Sequence, residues 1–220
     1  MIRYIIFDMD GVLVGSEKAI RAACMKMFER RGLTVQPDDF IPFTGMGENR
    51  FIGGVAEKYG KTFTPDMKAE AYKIYGEVAR DNVIVYDGVK QLIMDLKESG
   101  YKVAVASAAD DVKVKVNLAC IGLTKDDFHA IVTGDDVSRH KPDPEAFLLA
   151  CEKLGGVPGQ SVVVEDAVAG CQAAKAAGMK CIGVMSTFDA DALKAAGADF
   201  VVAKTPDVLA IVERMNETDL

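Results

Sequence analysis

Tyr4-Ile5-Ile6-Phe7-Asp8-Met9-Asp10-Gly11-Val12-Leu13-Val14 is the stretch on which the reading of this chain turns. Its first four residues form a short apolar run, the pattern of a buried strand, and the strand is expected over residues 2–7. The run stops at two aspartates separated by one residue. Like charges at close range repel and raise one another's pKa. Such a pair persists where a cation or a reaction requires it. Gly11, directly after the second acid, lets the backbone turn and come close to a ligand. An Asp-x-Asp-Gly start also opens EF-hand loops, but those hold a bidentate Glu at the twelfth position, where this chain has Ala19.

Beyond Tyr86-Asp87-Gly88 the chain alternates strands and helices. Apolar, β-branched runs at 102–106, 130–133, 161–164, 181–184 and 200–202 read as strands. Helical patterns at 88–99, 111–120, 144–154, 168–177, 189–196 and 206–215 separate or follow them. That alternation predicts βαβ units, and hence a parallel sheet covered on both faces. The stretch between differs. Residues 17–32, 48–59 and 66–82 read as helices, Ser16 as the N-cap of the first, and no strand is expected over 15–82. The predicted organisation is α/β: a Rossmann-like three-layer core with a parallel sheet, built from 1–14 and 86–220, with an all-helical insertion over 15–85. The crossings near 14–16 and 82–86 are short enough to act as hinges.

Half of the 220 residues are apolar, enough for a sizeable core. The net charge is −7 with no Lys/Arg run, which argues against nucleic acid, where clustered cations supply the affinity. Phosphorylated small molecules, needing only one or two local cations, stay compatible. The five cysteines lack CxxC spacing and read as reduced, packed thiols. His129 and His140 are the only histidines, too few for a zinc site or a Ser-His-Asp triad. No apolar run approaches a membrane span, and no signal-peptide pattern precedes the first strand. A cytoplasmic monomer acting on a small phosphorylated metabolite is expected, with no nucleic-acid or membrane partner.

Ligands of open parallel sheets bind beyond the carboxyl ends of the strands. Here those ends carry Asp8 and Asp10, then Ser107, then Glu165-Asp166, while Lys141 lies in the loop feeding the strand at 161–164. Carboxylates from two strand ends make a hard oxygen site that suits Mg²⁺. The Ser107 hydroxyl, with backbone N–H groups beside it such as that of Ala108, and the Lys141 ammonium suit the oxygens of a phosphoryl group. An Asp carboxylate can attack phosphorus and form an aspartyl phosphate. The second Asp is placed to protonate the leaving oxygen and then activate water. Each residue alone has a plainer reading: Ser107 as a helix cap, Lys141 as a surface lysine, Glu165-Asp166 as acids at a helix start. Their shared position at one edge of the sheet favours the chemical reading.

Asp8-Met9-Asp10-Gly11-Val12-Leu13, Ser107, Lys141-Pro142-Asp143-Pro144 and Glu165-Asp166-Ala167-Val168-Ala169-Gly170 stand in the order of the four motifs of the haloacid dehalogenase-like hydrolases. The chain resembles that superfamily over its whole length, closest to the phosphatase and β-phosphoglucomutase branch, whose helical cap domain follows the first motif. Residues 39–56 also resemble the dehalogenase-like domain of some multidomain plant plastid proteins. The resemblance implies Asp8 as nucleophile and magnesium ligand. Asp10 would be the general acid/base, with its backbone carbonyl on the metal. Ser107 and Lys141 would hold phosphate, and Asp166 would bind Mg²⁺ with Glu165 beside it as a further metal residue, directly or through water. An acid at position 10 favours phosphoryl transfer over dehalogenation, since halide leaves without a proton.

Several polar groups of the mutases are missing. Gly15-Ser16 stands where they carry Asp-Thr or Asp-Ser. Ile20 replaces a His, Asp111 an Asn, and Thr44 a Lys. A Mg²⁺-dependent phosphohydrolase is therefore expected ahead of a β-phosphoglucomutase-like sugar phosphomutase. Residues 44–50 are the expected specificity loop, with Arg50 for an anionic group, Glu48 for a hydroxyl, and Asn49 between them.

Overall fold

The structure, a computed structural model, describes residues 1–43 and 47–218. The chain divides into two compact units, Met1–Gly15 with Val85–Leu220, and Ser16–Ile84. The larger unit is built on β1 (Tyr4–Phe7), β4 (Lys102–Ala106), β5 (Ala130–Val132), β6 (Ser161–Glu165), β7 (Lys180–Val184) and β8 (Phe200–Val202). All pairings are parallel, in the order β5-β4-β1-β6-β7-β8. Between these strands run α4 (Val89–Glu98), α5 (Asp111–Ile121), α6 (Glu145–Lys153), α7 (Val168–Ala176) and α8 (Ala190–Ala195), with α9 (Val208–Thr218) last. This is the expected α/β, Rossmann-like architecture.

Strand residues alternate between faces. Ile6, Ala104, Ala106, Val132 and Val163 pack with Phe147, Cys151, Cys171 and Ala174 of α6 and α7 in one core. Their neighbours Ile5, Phe7, Val103, Val105, Val162 and Val164 are equally buried, so both faces of the sheet are covered. β1 pairs with β4 on one side and β6 on the other, setting Phe7 beside Val105 and Val164. The residues after those three strands therefore emerge side by side.

The smaller unit packs α1 (Glu17–Arg30) against α3 (Pro65–Asn82), and α2 (Glu48–Lys58) against a 3-10 segment, Pro37–Phe43. That segment is absent from the sequence reading, because a tertiary knot holds it. Asp39 is buried and accepts from the Lys58 ammonium, the Tyr59 hydroxyl at 2.6 Å and the Gln36 N–H at 2.7 Å. Those three bonds, first the Lys58 one, pull its pKa down to about 2. Phe40 then packs on Phe51 at 4.9 Å between ring centres.

Ser16 takes the expected N-cap place of α1, with helical backbone angles and no side-chain cap bond. Two local expectations are corrected. The first strand starts at Tyr4, not at residue 2. Two short strands at the crossings, β2 (Val14–Gly15) and β3 (Ile84–Val85), pair with each other. Two residues are too few for a periodicity to betray.

Candidate active site

The turn after β1 is set by backbone bonds: Gly11 donates to Val14 O at 2.7 Å, and Leu13 to Met9 O at 2.9 Å. Gly11 has φ +87°, and a Cβ there would run into the Asp166 carboxylate. The glycine both permits the turn and lets an acid from the far end of β6 sit against it. Asp8 leaves the sheet with its N–H still bonded to Val164 O at 2.9 Å.

Lys141 reaches into this edge from the loop before α6. Its Nζ donates to Asp8 Oδ1 at 2.5 Å and to Glu165 Oε1 at 2.7 Å, and it sits 4.7 Å from the centre of the Phe147 ring. Its side chain and that of Asp8 are each only 10% exposed. Burial alone would lower the lysine pKa, but Asp8 and Glu165 outweigh it and hold the ammonium above its usual value. Burial pushes the Asp8 pKa well up; Lys141 pulls it back, and Glu165, Asp166 and Asp10 push it further. The four acids therefore share one electrostatic neighbourhood.

Glu165, expected beside the metal, has its oxygens taken up otherwise. Oε1 accepts from Lys141, and Oε2 accepts from the N–H groups of Asp166 and Ala167, both at 2.8 Å. Its carboxylate occupies the space that a Cβ at Gly170 would fill. Asp166 accepts from Ser186 Oγ at 3.1 Å and from the Thr187 hydroxyl. Burial and then Glu165 raise its pKa to about 7, against those two hydroxyls. Asp10 accepts from Lys113 Nζ at 3.0 Å and from Asn117 Nδ2 at 3.1 Å, both on α5.

Ser107 follows β4, is buried, and accepts from the Ala109 N–H at 3.1 Å. Its hydroxyl thus shapes the loop that contains Ala108. In the smaller unit Arg50 is committed locally, donating to Glu57 at 2.8 Å and lying 5.0 Å from the centre of the Phe43 ring. Glu48 and Asn49 open α2. Thr44, Gly45 and Met46 of the expected specificity loop lie outside the described residues.

The sequence reading missed Ser186, Thr187, Lys113, Asn117 and Tyr86. Burial raises the Tyr86 pKa, as do the charges of Asp166 and Asp10, which places its ring in the same neighbourhood. Ser186-Thr187 follows the carboxyl end of β7, so the strand-end rule applied to β1, β4 and β6 reaches it too. The helical pair carries no such signal.

The donor set is all oxygen and rich in carboxylates whose mutual repulsion raises the Asp8 pKa. That chemistry fits a hard divalent cation. Among the described residues no group of three or more His, Cys, Asp or Glu side chains is arranged to hold a metal ion by itself. An ion that takes one or two carboxylates and fills its remaining positions with water and substrate oxygens does not need one.

The sequence pattern of the haloacid dehalogenase-like hydrolases matches residues 5–184. The chain belongs to that family. It is 31% identical over 208 residues to the validoxylamine A 7'-phosphate phosphatase of Streptomyces hygroscopicus subsp. limoneus, across 94% of this chain and 96% of that one. It is 44% identical over 201 residues to the chloroplastic protein SUPPRESSOR OF QUENCHING 1 of Arabidopsis thaliana. That match covers 90% of this chain but spans only 19% of the plant protein. Among solved structures, β-phosphoglucomutase from Clostridium difficile superposes with a TM-score of 0.80 at 25% identity, over 99% of each chain. The family's description and the phosphatase among these relatives support a hydrolase acting on phosphate esters. Among the described residues no helix is long and apolar enough to cross a membrane.

The raised pKa of Asp166 has a testable sign. A group that binds its proton more tightly when folded subtracts stability as pH rises from its unfolded value, 3.8, through its folded value, about 7. In EDTA, wild-type protein should therefore lose melting temperature relative to Asp166→Asn over that interval. The gap should grow with pH and then level off. Parallel melting curves across the interval would refute the assignment of a penalised charge to Asp166.

Proposed function

We propose that this chain is a Mg²⁺-dependent phosphohydrolase that cleaves a small phosphate monoester through an aspartyl phosphate on Asp8. The observation that carries the reading is the position of Asp8. It is buried at a central strand end, 2.5 Å from a lysine whose side chain is only 10% exposed, with three further acids close enough to raise its pKa.

The reaction follows from those groups. An Asp8 oxygen attacks phosphorus, and the bond from phosphorus to the ester oxygen breaks as Asp10 gives that oxygen a proton. Asp10 then takes a proton from water as the water attacks phosphorus. The bond to Asp8 breaks, restoring its carboxylate and releasing inorganic phosphate. Lys141, the Ser107 hydroxyl and the Ala108 N–H are assigned to the phosphoryl oxygens. Lys141 is pinned for this by Glu165, whose role is to anchor the lysine rather than to bind metal. Asp8, Asp166 and the Asp10 carbonyl would hold Mg²⁺, which supplies positive charge that offsets carboxylate repulsion and the charge on phosphorus-bound oxygens. Residues 15–85 are assigned as the cap domain, with Glu48, Asn49 and Arg50 as its specificity residues.

A sugar phosphomutase is the second reading, favoured by the likeness to β-phosphoglucomutase. It asks the phosphoenzyme to wait for a sugar hydroxyl instead of water. Asp111, in the place of a mutase Asn, pairs with Lys115 on α5 and with Lys125 beyond that helix.

A phosphate-release screen over sugar phosphates, nucleotides, phosphoglycolate and pyrophosphate, with and without Mg²⁺, tests both. Release that requires Mg²⁺ is the expected result. Conversion of β-glucose 1-phosphate to glucose 6-phosphate without free phosphate would select the mutase. Inertness on every ester would leave a binding module on this fold.

A further inference from the structure

Helix α5 buries the wrong residues for a helix that only covers a sheet. Lys113 and Asn117 are 4% and 0% exposed, while Val112 on the same helix is 51% exposed. Burying an ammonium and an amide at the expense of a valine is unfavourable unless both are matched by partners. Local rules broken in this way concentrate at functional positions.

Both side chains meet Asp10. Lys113 and Asn117 are four residues apart and so project from one helix face. Lys113 takes Asp10 Oδ2 at 3.0 Å, and Asn117 takes Oδ1 at 3.1 Å. Asp10 itself sits on a turn rather than in the sheet, with its side chain 32% exposed. Its neighbours Gly11, Leu13 and Val14 fix the backbone but not the carboxylate. A donor on each oxygen stops the carboxylate from rotating.

We propose that Lys113 and Asn117 are positioning residues, a two-point clamp that holds the Asp10 carboxylate in its proton-transfer orientation. This rests on the phosphohydrolase reading and deepens it. A clamp of this kind acts on steps that need Asp10 and spares those that do not. Proton transfer is sensitive to orientation, so loosening the carboxylate slows it without blocking attack by Asp8.

The probe is 2,4-dinitrophenyl phosphate with the full chain and Mg²⁺. Its leaving phenolate needs no proton, so formation of the Asp8 phosphoenzyme does not call on Asp10. Hydrolysis of that phosphoenzyme does. Lys113→Met and Asn117→Leu should each release the first equivalent of dinitrophenolate within about threefold of the wild-type rate. Steady turnover should then fall by about 10- to 100-fold, giving a sharper burst than wild type's and a larger share of protein carrying radiolabelled phosphate. Equal slowing of both phases, or no slowing in either variant, would overturn the clamp. So would loss of cooperative melting in both variants, which would make the pair a structural support. Wild-type protein inert toward the probe would instead remove the phosphohydrolase reading, and the clamp with it.

Discussion

Asp8→Asn is expected to abolish phosphate release, by about four orders of magnitude or more, while the protein stays folded. The amide has nearly the shape of the carboxylate but no nucleophilic oxygen to give to phosphorus. No nearby acid can replace it. Asp10 is held by α5, Glu165 is held by Lys141 and two backbone N–H groups, and Asp166 is held by Ser186 and Thr187. The fold should tolerate the change, because burial and three neighbouring acids already penalise charge at position 8. Lys141 keeps Glu165 as its counter-charge. Acid-quenched wild type should carry labelled phosphate during turnover, and Asp8→Asn should carry none. Asp10→Asn differs in kind. It retains the nucleophile and should lose about 10²- to 10⁴-fold in turnover on unactivated esters. Release of phosphate by Asp8→Asn at a rate near wild type would overturn the mechanism.

The sheet was legible because each of its strands is a short, largely apolar run set off from the next by a helical pattern. Their order was not, since nothing in Tyr4–Phe7 alone says that it pairs with both β4 and β6. The acids Asp8, Asp10, Glu165 and Asp166 could be read together because all lie at carboxyl ends of strands, and one rule covers every strand of a parallel sheet. Ser186 and Thr187 obey the same rule after β7, so the signal for them existed. Lys113 and Asn117 gave no such sign. They lie within a helix whose Val112, Val114 and Val116 alternate with polar residues, so its buried face cannot be chosen from hydropathy. Only the three-dimensional approach of Asp10 explains why the lysine is inside and Val112 outside. The same holds for Pro37–Phe43, whose shape depends on Lys58 and Tyr59 meeting Asp39 from another element.

Lys141→Met should destabilise the protein by about 3–5 kcal/mol, a fall in melting temperature on the order of 10 °C, because it strips the cation from two buried carboxylates. The methionine keeps most of the stem that lies over Phe147, so packing loss is small and the effect isolates charge. Adding Glu165→Gln to that background should restore about half of the loss. The glutamine oxygen can still accept from the Asp166 and Ala167 N–H groups, as Glu165 Oε2 does at 2.8 Å. Its NH₂ can turn toward the side from which Lys141 bonds Glu165 Oε1. Activity should not return with the stability, because the positive charge assigned to phosphate is still missing. The pair of variants thus separates two roles of one ammonium. If Lys141→Met melts like wild type, the acids do not depend on it for compensation. If the double variant regains turnover as well as stability, Lys141 serves the fold and not the phosphoryl group.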